Sequence, residues 1–280
     1  MEKLTTVLAV ALQPASAVLV LDKAVAIARC FQARVEVLVN DAGAAHEITA
    51  RCAAENYRDV TLHSVADTAE PDNEVILRRV WASRPDLLVK APARGRSGNP
   101  TAFDNDDWEL ANESPAPVLL VRGKPWSQPA RFVTTLDVSD DDHAALARSI
   151  LHTAGFLALG THGNLDILYS EREANDETVR MSRAVRLAQL VREFHVGCER
   201  LQIFSGEPLL RLPPLIAARH YDVLVLGGDP VADSAQPVPY RLARMIDVTD
   251  SDVVLVKAPS TQAALSGSLA GLRQQRADQP

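Results

Sequence analysis

Short runs of apolar, β-branched residues alternate with stretches of helical periodicity along almost the entire chain, and few folds accommodate that alternation. It is the pattern of parallel strands joined by crossover helices, because strands covered on both faces read as continuous apolar runs. Strands are predicted at Thr5 to Ala11, Arg34 to Val39, Val60 to Val65, Asp86 to Lys90 and Val118 to Arg122. Helices fall between them at Val18 to Phe31, Ala44 to Asn56, Asn73 to Ala82 and Asp104 to Ala111. The order then starts again, with strands at Phe132 to Leu136, Leu165 to Ser170, Leu201 to Phe204, Asp222 to Leu226 and Val253 to Lys257. The helices of this second round are Asp142 to Leu159, Asn175 to Phe194, Leu209 to Ala218 and Tyr240 to Val248. Two passages show the repetition residue by residue: Arg84 to Val89 (RPDLLV) matches His220 to Val225 (HYDVLV), and Pro117 to Arg122 (PVLLVR) matches Asp252 to Lys257 (DVVLVK).

The chain therefore divides into a first domain, residues 1–124, and a second, residues 131–260. Between them Gly123 to Ala130 (GKPWSQPA) carries a glycine and two prolines, which end one strand before the next begins. Residues 261–280 lose apolar periodicity and are expected to be a disordered tail. Composition narrows the function. A formal charge of −7 and the lack of a basic run argue against a nucleic-acid partner, whose phosphates require clustered Lys and Arg. Three cysteines without paired spacing, Cys30, Cys52 and Cys198, read as buried or free thiols of a reducing compartment, the cytoplasm. The apolar stretch Val7 to Leu21 is interrupted by Gln13, Pro14 and Ser16 and closed by Asp22 and Lys23, short of the about 20 residues that span a bilayer. No membrane partner is expected.

Several passages resemble one family. In each copy a strand follows an aspartate, Asp86 to Val89 (DLLV) and Asp222 to Val225 (DVLV), and a polar loop and short helix lead to a last strand. The first copy adds Asp107-Trp108, Ser114 to Val118 (SPAPV) and Pro125-Trp126, and the second adds Ser205 to Pro208 (SGEP) at a strand-to-helix turn. Over residues 3–259 the chain resembles the universal stress protein family, most closely its tandem E type. That resemblance implies two open parallel-sheet α/β sandwiches of five strands each, related to the adenine nucleotide alpha hydrolases.

In ATP-binding members of that family an Asp closes the first strand, and the fourth ends in Gly-x-x-Gly with Gly-Ser or Gly-Thr further on. Glycine lets backbone N–H groups curl around phosphates at a helix N-terminus. The first copy has Ala11 in place of the Asp, Ala91 and Pro92 where the first glycine belongs, a late Gly95 and Gly98, and the acidic segment Asp104 to Asp107. Carboxylates there repel a triphosphate. The second copy keeps Asp137, Gly227 and Gly228 as residual cofactor-binding candidates. Beyond them Pro230, Val231, Pro239 and Tyr240 displace the remaining phosphate donors, since proline has no N–H. No cofactor is expected, ATP included.

Other constellations read as structure. Asp137 to His143 (DVSDDDH) lacks the glycine and final glutamate of an EF-hand and fits helix capping. His195 and Cys198 have no second pair to complete a zinc site. Nucleophile-elbow, P-loop and dinucleotide motifs are missing, and His143, His152 and His162 have no identifiable partner, so no catalytic or metal residue is expected.

The leading expectation is a non-enzymatic stress-response protein binding an unidentified protein partner or small ligand. The alternatives are ATP binding by the second domain alone and an enzyme of the related hydrolase type. The two fifth strands, Val118 to Arg122 and Val253 to Lys257, are apolar on both faces and would be hazardous as open edges. They are expected to pair antiparallel in an intramolecular pseudo-dimer, with homo-oligomers left open.

Overall fold

The computed structural model describes residues 3–12, 14–64, 72–92, 105–138, 141–171, 177–193, 198–228, 245–246 and 249–257. Its first half runs β1 (Thr6–Val10), α1 (Pro14–Phe31), β2 (Arg34–Val39), α2 (Ala42–Ala54), β3 (Val60–Ser64), α3 (Asp72–Ser83), β4 (Leu87–Lys90), α4 (Asn105–Glu113) and β5 (Val118–Leu120). The second runs β6 (Arg131–Thr135), α5 (Asp141–Gly160), β7 (Asn164–Glu171), α6 (Glu177–Glu193), β8 (Cys198–Ser205), α7 (Pro208–Arg219), β9 (Val223–Gly228) and β10 (Asp252–Lys257).

The ten strands of the described residues form one sheet in the order β3-β2-β1-β4-β5-β10-β9-β6-β7-β8. Read outward from the centre, β5-β4-β1-β2-β3 has the same sequence of roles as β10-β9-β6-β7-β8. Every neighbouring pair is parallel except β5 and β10, which run antiparallel with Val253 opposite Leu120 and Leu255 opposite Val118. Helices cover both faces, as a parallel sheet requires. One core packs α1, α2, α5 and α6 on the sheet, and the other packs α3, α4 and α7. Both cores run without a break from one half into the other: Phe31 of α1 stacks on Phe156 of α5, ring centroids 4.9 Å apart.

The elements differ from the sequence expectation mainly at their ends. Helix α1 begins at Pro14, not Val18, because proline's fixed φ and missing N–H suit the first helical turn. Strand β8 extends to Cys198 and Ser205, pairing with β7 beyond its apolar centre. Helices α1, α3, α5 and α7 are followed by left-handed residues at matching places, Gln32 with His162 and Arg84 with His220. The helix expected at Tyr240 to Val248 lies outside the described residues apart from Met245 and Ile246, and the tail 261–280 lies outside them altogether.

Candidate functional site

In a sheet of this order the chain leaves β1 and β4 in opposite directions, and likewise β6 and β9. The crevices beyond their carboxyl ends are the natural places for a ligand. What sits at the opposite, amino ends explains the repeated aspartates. Asp86 accepts hydrogen bonds from Thr5 N at 2.7 Å, Thr5 Oγ1 at 2.8 Å and Thr6 N at 3.0 Å. Asp222 accepts from Ser127 N at 3.1 Å, Arg131 N at 2.8 Å and the Ser127 hydroxyl. Each carboxylate ties the start of the fourth strand of its half to the start of the first, so the motif that marks the repeat is structural.

At the carboxyl end of the first half lies a cleft of about 140 Å³. Val10, Leu12 and Ile76 give it an apolar lining, Ser16 and Asn73 contribute polar groups, and Asp72, Asp106 and Glu109 bring carboxylates. Asp72 and Asp106 sit in the first turns of α3 and α4, where the helix dipole favours negative charge. Lys90 also lines the cleft, but its ammonium is buried and paired with Asp107 Oδ1 at 2.5 Å. Asp107 is fully buried, so of the acidic segment read as repelling phosphate this member is neutralised internally. Asp106 lines the cleft, while Asp104, Gly95 and Gly98 lie outside the described residues.

The second half is built differently at the same place. Asp137 is exposed just beyond β6, and Gly227 and Gly228 end the neighbouring β9. The three residues therefore share one end of the sheet. A Cβ on Gly227 would lie 2.6 Å from Ile150 Cδ1 and 2.8 Å from Leu146 on α5. One on Gly228 would lie 3.1 Å from the Trp108 ring and 3.4 Å from Asn112, both on α4 of the first half. Both glycines thus serve close packing of strand against helix. Pro230, Val231, Pro239 and Tyr240 lie outside the described residues.

The histidines considered from the sequence are spread along α5 and past its end. His143 and His152 are nine positions apart on α5, about 13 Å along a helix at its standard rise, and His162 follows the helix end. Cys30 and Cys52 are free thiols, and burial pushes the Cys52 thiol up. His195 lies outside the described residues, and no group of three metal-ligating side chains occurs among the described ones. No helix among them is long and apolar enough to cross a membrane. What the sequence missed were long-range pairs. On β2, Glu36 binds Arg79 of α3 at 2.5 Å, with His63 of β3 beside both. At the matching place on β7, Asp166 accepts from Tyr221 Oη at 2.8 Å, with Arg219 at 3.9 Å. An acid inside an otherwise apolar strand was the signal that could have found both.

No family model matches the chain. Universal stress protein E of Salmonella typhi is 23% identical over 172 residues, a match that spans 55% of this chain and 55% of that protein. Two solved structures from Pseudomonas aeruginosa share the fold. One, assigned to the universal stress proteins, from strain UCBPP-PA14, is 21% identical with a TM-score of 0.75 over 91% of this chain and 93% of the other. The second, a functionally unknown protein of strain PAO1, is 20% identical with a TM-score of 0.76 over 96% and 98%.

Proposed function

The sequence and fold comparisons support assignment of this chain to the tandem-type universal stress protein family, and from that premise we propose that it is a non-enzymatic cytoplasmic stress-response protein whose nucleotide sites have degenerated. On this reading residues 1–124 and 131–260 are two domains, and the β5–β10 pairing makes them an intramolecular pseudo-dimer. Its role is carried by binding a protein partner or a small ligand.

The observation that supports the loss of ATP binding is the contrast at the two sheet ends. The first-half crevice presents Asp72, Asp106 and Glu109 where phosphates would approach, and its lysine is committed to Asp107. In the second half the glycine pair is approached by Ile150, Leu146 and Trp108. A second reading, ATP held by the second half alone, draws on Asp137 standing at the same sheet end as Gly227 and Gly228. Calorimetric titration with MgATP separates the two. The expected result is no isotherm tighter than about 100 μM, some 5.5 kcal/mol. A one-site isotherm below that limit which Asp137→Ala abolishes would establish the second reading instead.

A further inference from the structure

The seam between β5 and β10 is closed by one buried carboxylate that draws two partners from the first half and one from the connecting segment. Asp252 opens β10 and is 1% exposed. Its Oδ1 accepts from Arg122 N, just past β5, at 2.7 Å. Its Oδ2 accepts from Trp126 Nε1 of the connecting segment at 2.7 Å and lies 3.0 Å from Lys23 Nζ of α1. The ammonium of Lys23 also sits 4.4 Å from the centroid of the Trp126 ring and donates to Lys124 O at 3.2 Å. Arg122 completes the seam by donating to Ile246 O at 3.0 Å and Thr249 O at 2.5 Å of the second half.

The repeat shows why this arrangement is not interchangeable. Pro117 holds the position in the first half that Asp252 holds in the second. Counting back from the left-handed residues that follow α1 and α5, Gln32 and His162, Lys23 falls opposite Thr153. After Lys257 the sequence continues Ala258-Pro259, with nothing equivalent to Trp126. Pairing β5 with the β5 of a second copy would therefore offer no carboxylate to Arg122 N or Trp126. Pairing β10 with the β10 of a second copy would leave each Asp252 the backbone N of Lys257, but with threonine where the lysine belongs and no indole, and a buried carboxylate that lacks its cation is strongly unfavourable. Of the three combinations, only β5 with β10 gives Asp252 both its cation and the N–H donors of Arg122 and Trp126.

We infer that Lys23, Trp126 and Asp252 form a key that makes the two halves recognise each other and reject the like half of a second copy. The apolar strands supply the attraction, which is indifferent to partner, and the charge pair supplies the choice. Covalent connection raises the local concentration of the right partner, and the key removes the wrong ones at high protein concentration.

The test uses the full chain. Tagged and untagged copies are unfolded in urea, refolded together over a range of concentrations, and the untagged chain recovered with the tag is measured. Wild-type protein sets the baseline. Lys23→Met/Asp252→Asn removes the ion pair and keeps one acceptor, the amide oxygen, for Arg122 N, at the cost of the bond from Trp126 Nε1. It is expected to refold cooperatively but to mix roughly tenfold more. A double variant that refolds and mixes no more than wild type overturns the inference. Should it fail to fold, Lys23→Arg against Lys23→Met decides the matter: arginine is expected to hold mixing at the wild-type level and methionine to raise it, and equal mixing by the two overturns it.

Discussion

The fourth strands of the two halves begin alike and end in opposite ways. Asp86 and Asp222 each accept three hydrogen bonds at the start of the neighbouring first strand, those to Asp222 coming from Arg131 N and from Ser127 of the connecting segment just before it. At the other end the first half carries Lys90, buried against Asp107, where the second carries Leu226 followed by two glycines. The amino end of the strand is architecture and has been kept in both copies. The carboxyl end is where a ligand would sit, and there the two halves have found unrelated ways of filling the space: an ion pair in one, side chains of α5 and α4 packed on glycine in the other. A repeated fold preserves what holds the sheet together and is free to vary what the sheet presents.

The largest effect is expected from removing the ion pair. Lys90→Met leaves Asp107 buried without its cation and is expected to cost about 3–5 kcal/mol in urea unfolding. The matching change in the second half, Leu226→Met, conserves volume and is expected to cost less than about 1.5 kcal/mol. Equal losses would mean that the two strand ends are equivalent after all.

A smaller effect is expected at the next position, where Ala91 of the first half stands against Gly227 of the second. Gly227→Ala places a methyl group 2.6 Å from Ile150, so Ile150 and Leu146 must move, at about 1–3 kcal/mol by thermal or urea unfolding. Ala91→Gly removes a methyl without any such conflict, and its expected cost is within about 1 kcal/mol. A neutral Gly227→Ala would reopen the case for a glycine kept free for a ligand.

The smallest effect separates the acids inside the strands. Burial, ahead of the hydrogen bond to Asp166, holds the Tyr221 hydroxyl above the ordinary tyrosine range. The folded chain therefore favours the neutral phenol. The stability this provides is complete below about pH 10, the unfolded value, and is lost as pH rises through the folded one. Tyr221→Phe is expected to cost about 1 kcal/mol at neutral pH through the lost hydrogen bond. The gap between wild type and variant should then close as urea unfolding is repeated above about pH 10. A gap that stays constant would show that the phenol does not titrate with unfolding. Glu36, bound to Arg79 in the first half, has no tyrosine and provides the contrast.

The alternation of strand and helix, the repetition of that order and the class of fold were legible in the residues themselves. Propensity and burial leave a period of two, an unbroken apolar run or a helical stripe within a dozen residues, so local sequence suffices to read them. The apolar character of both fifth strands likewise showed that their edges needed cover. The choice of partners was decided elsewhere. Asp107 reads as one more acid in an acidic segment until Lys90 is folded onto it, and Gly228 reads as a phosphate loop until Trp108 of the other half is placed beside it. Lys23 and Asp252 lie near opposite ends of the chain and meet only when the two sheet halves are joined. The charge of a side chain is a property of the sequence, but what neutralises it, and so what it can still offer a ligand, depends on groups that only tertiary packing brings within 3 Å.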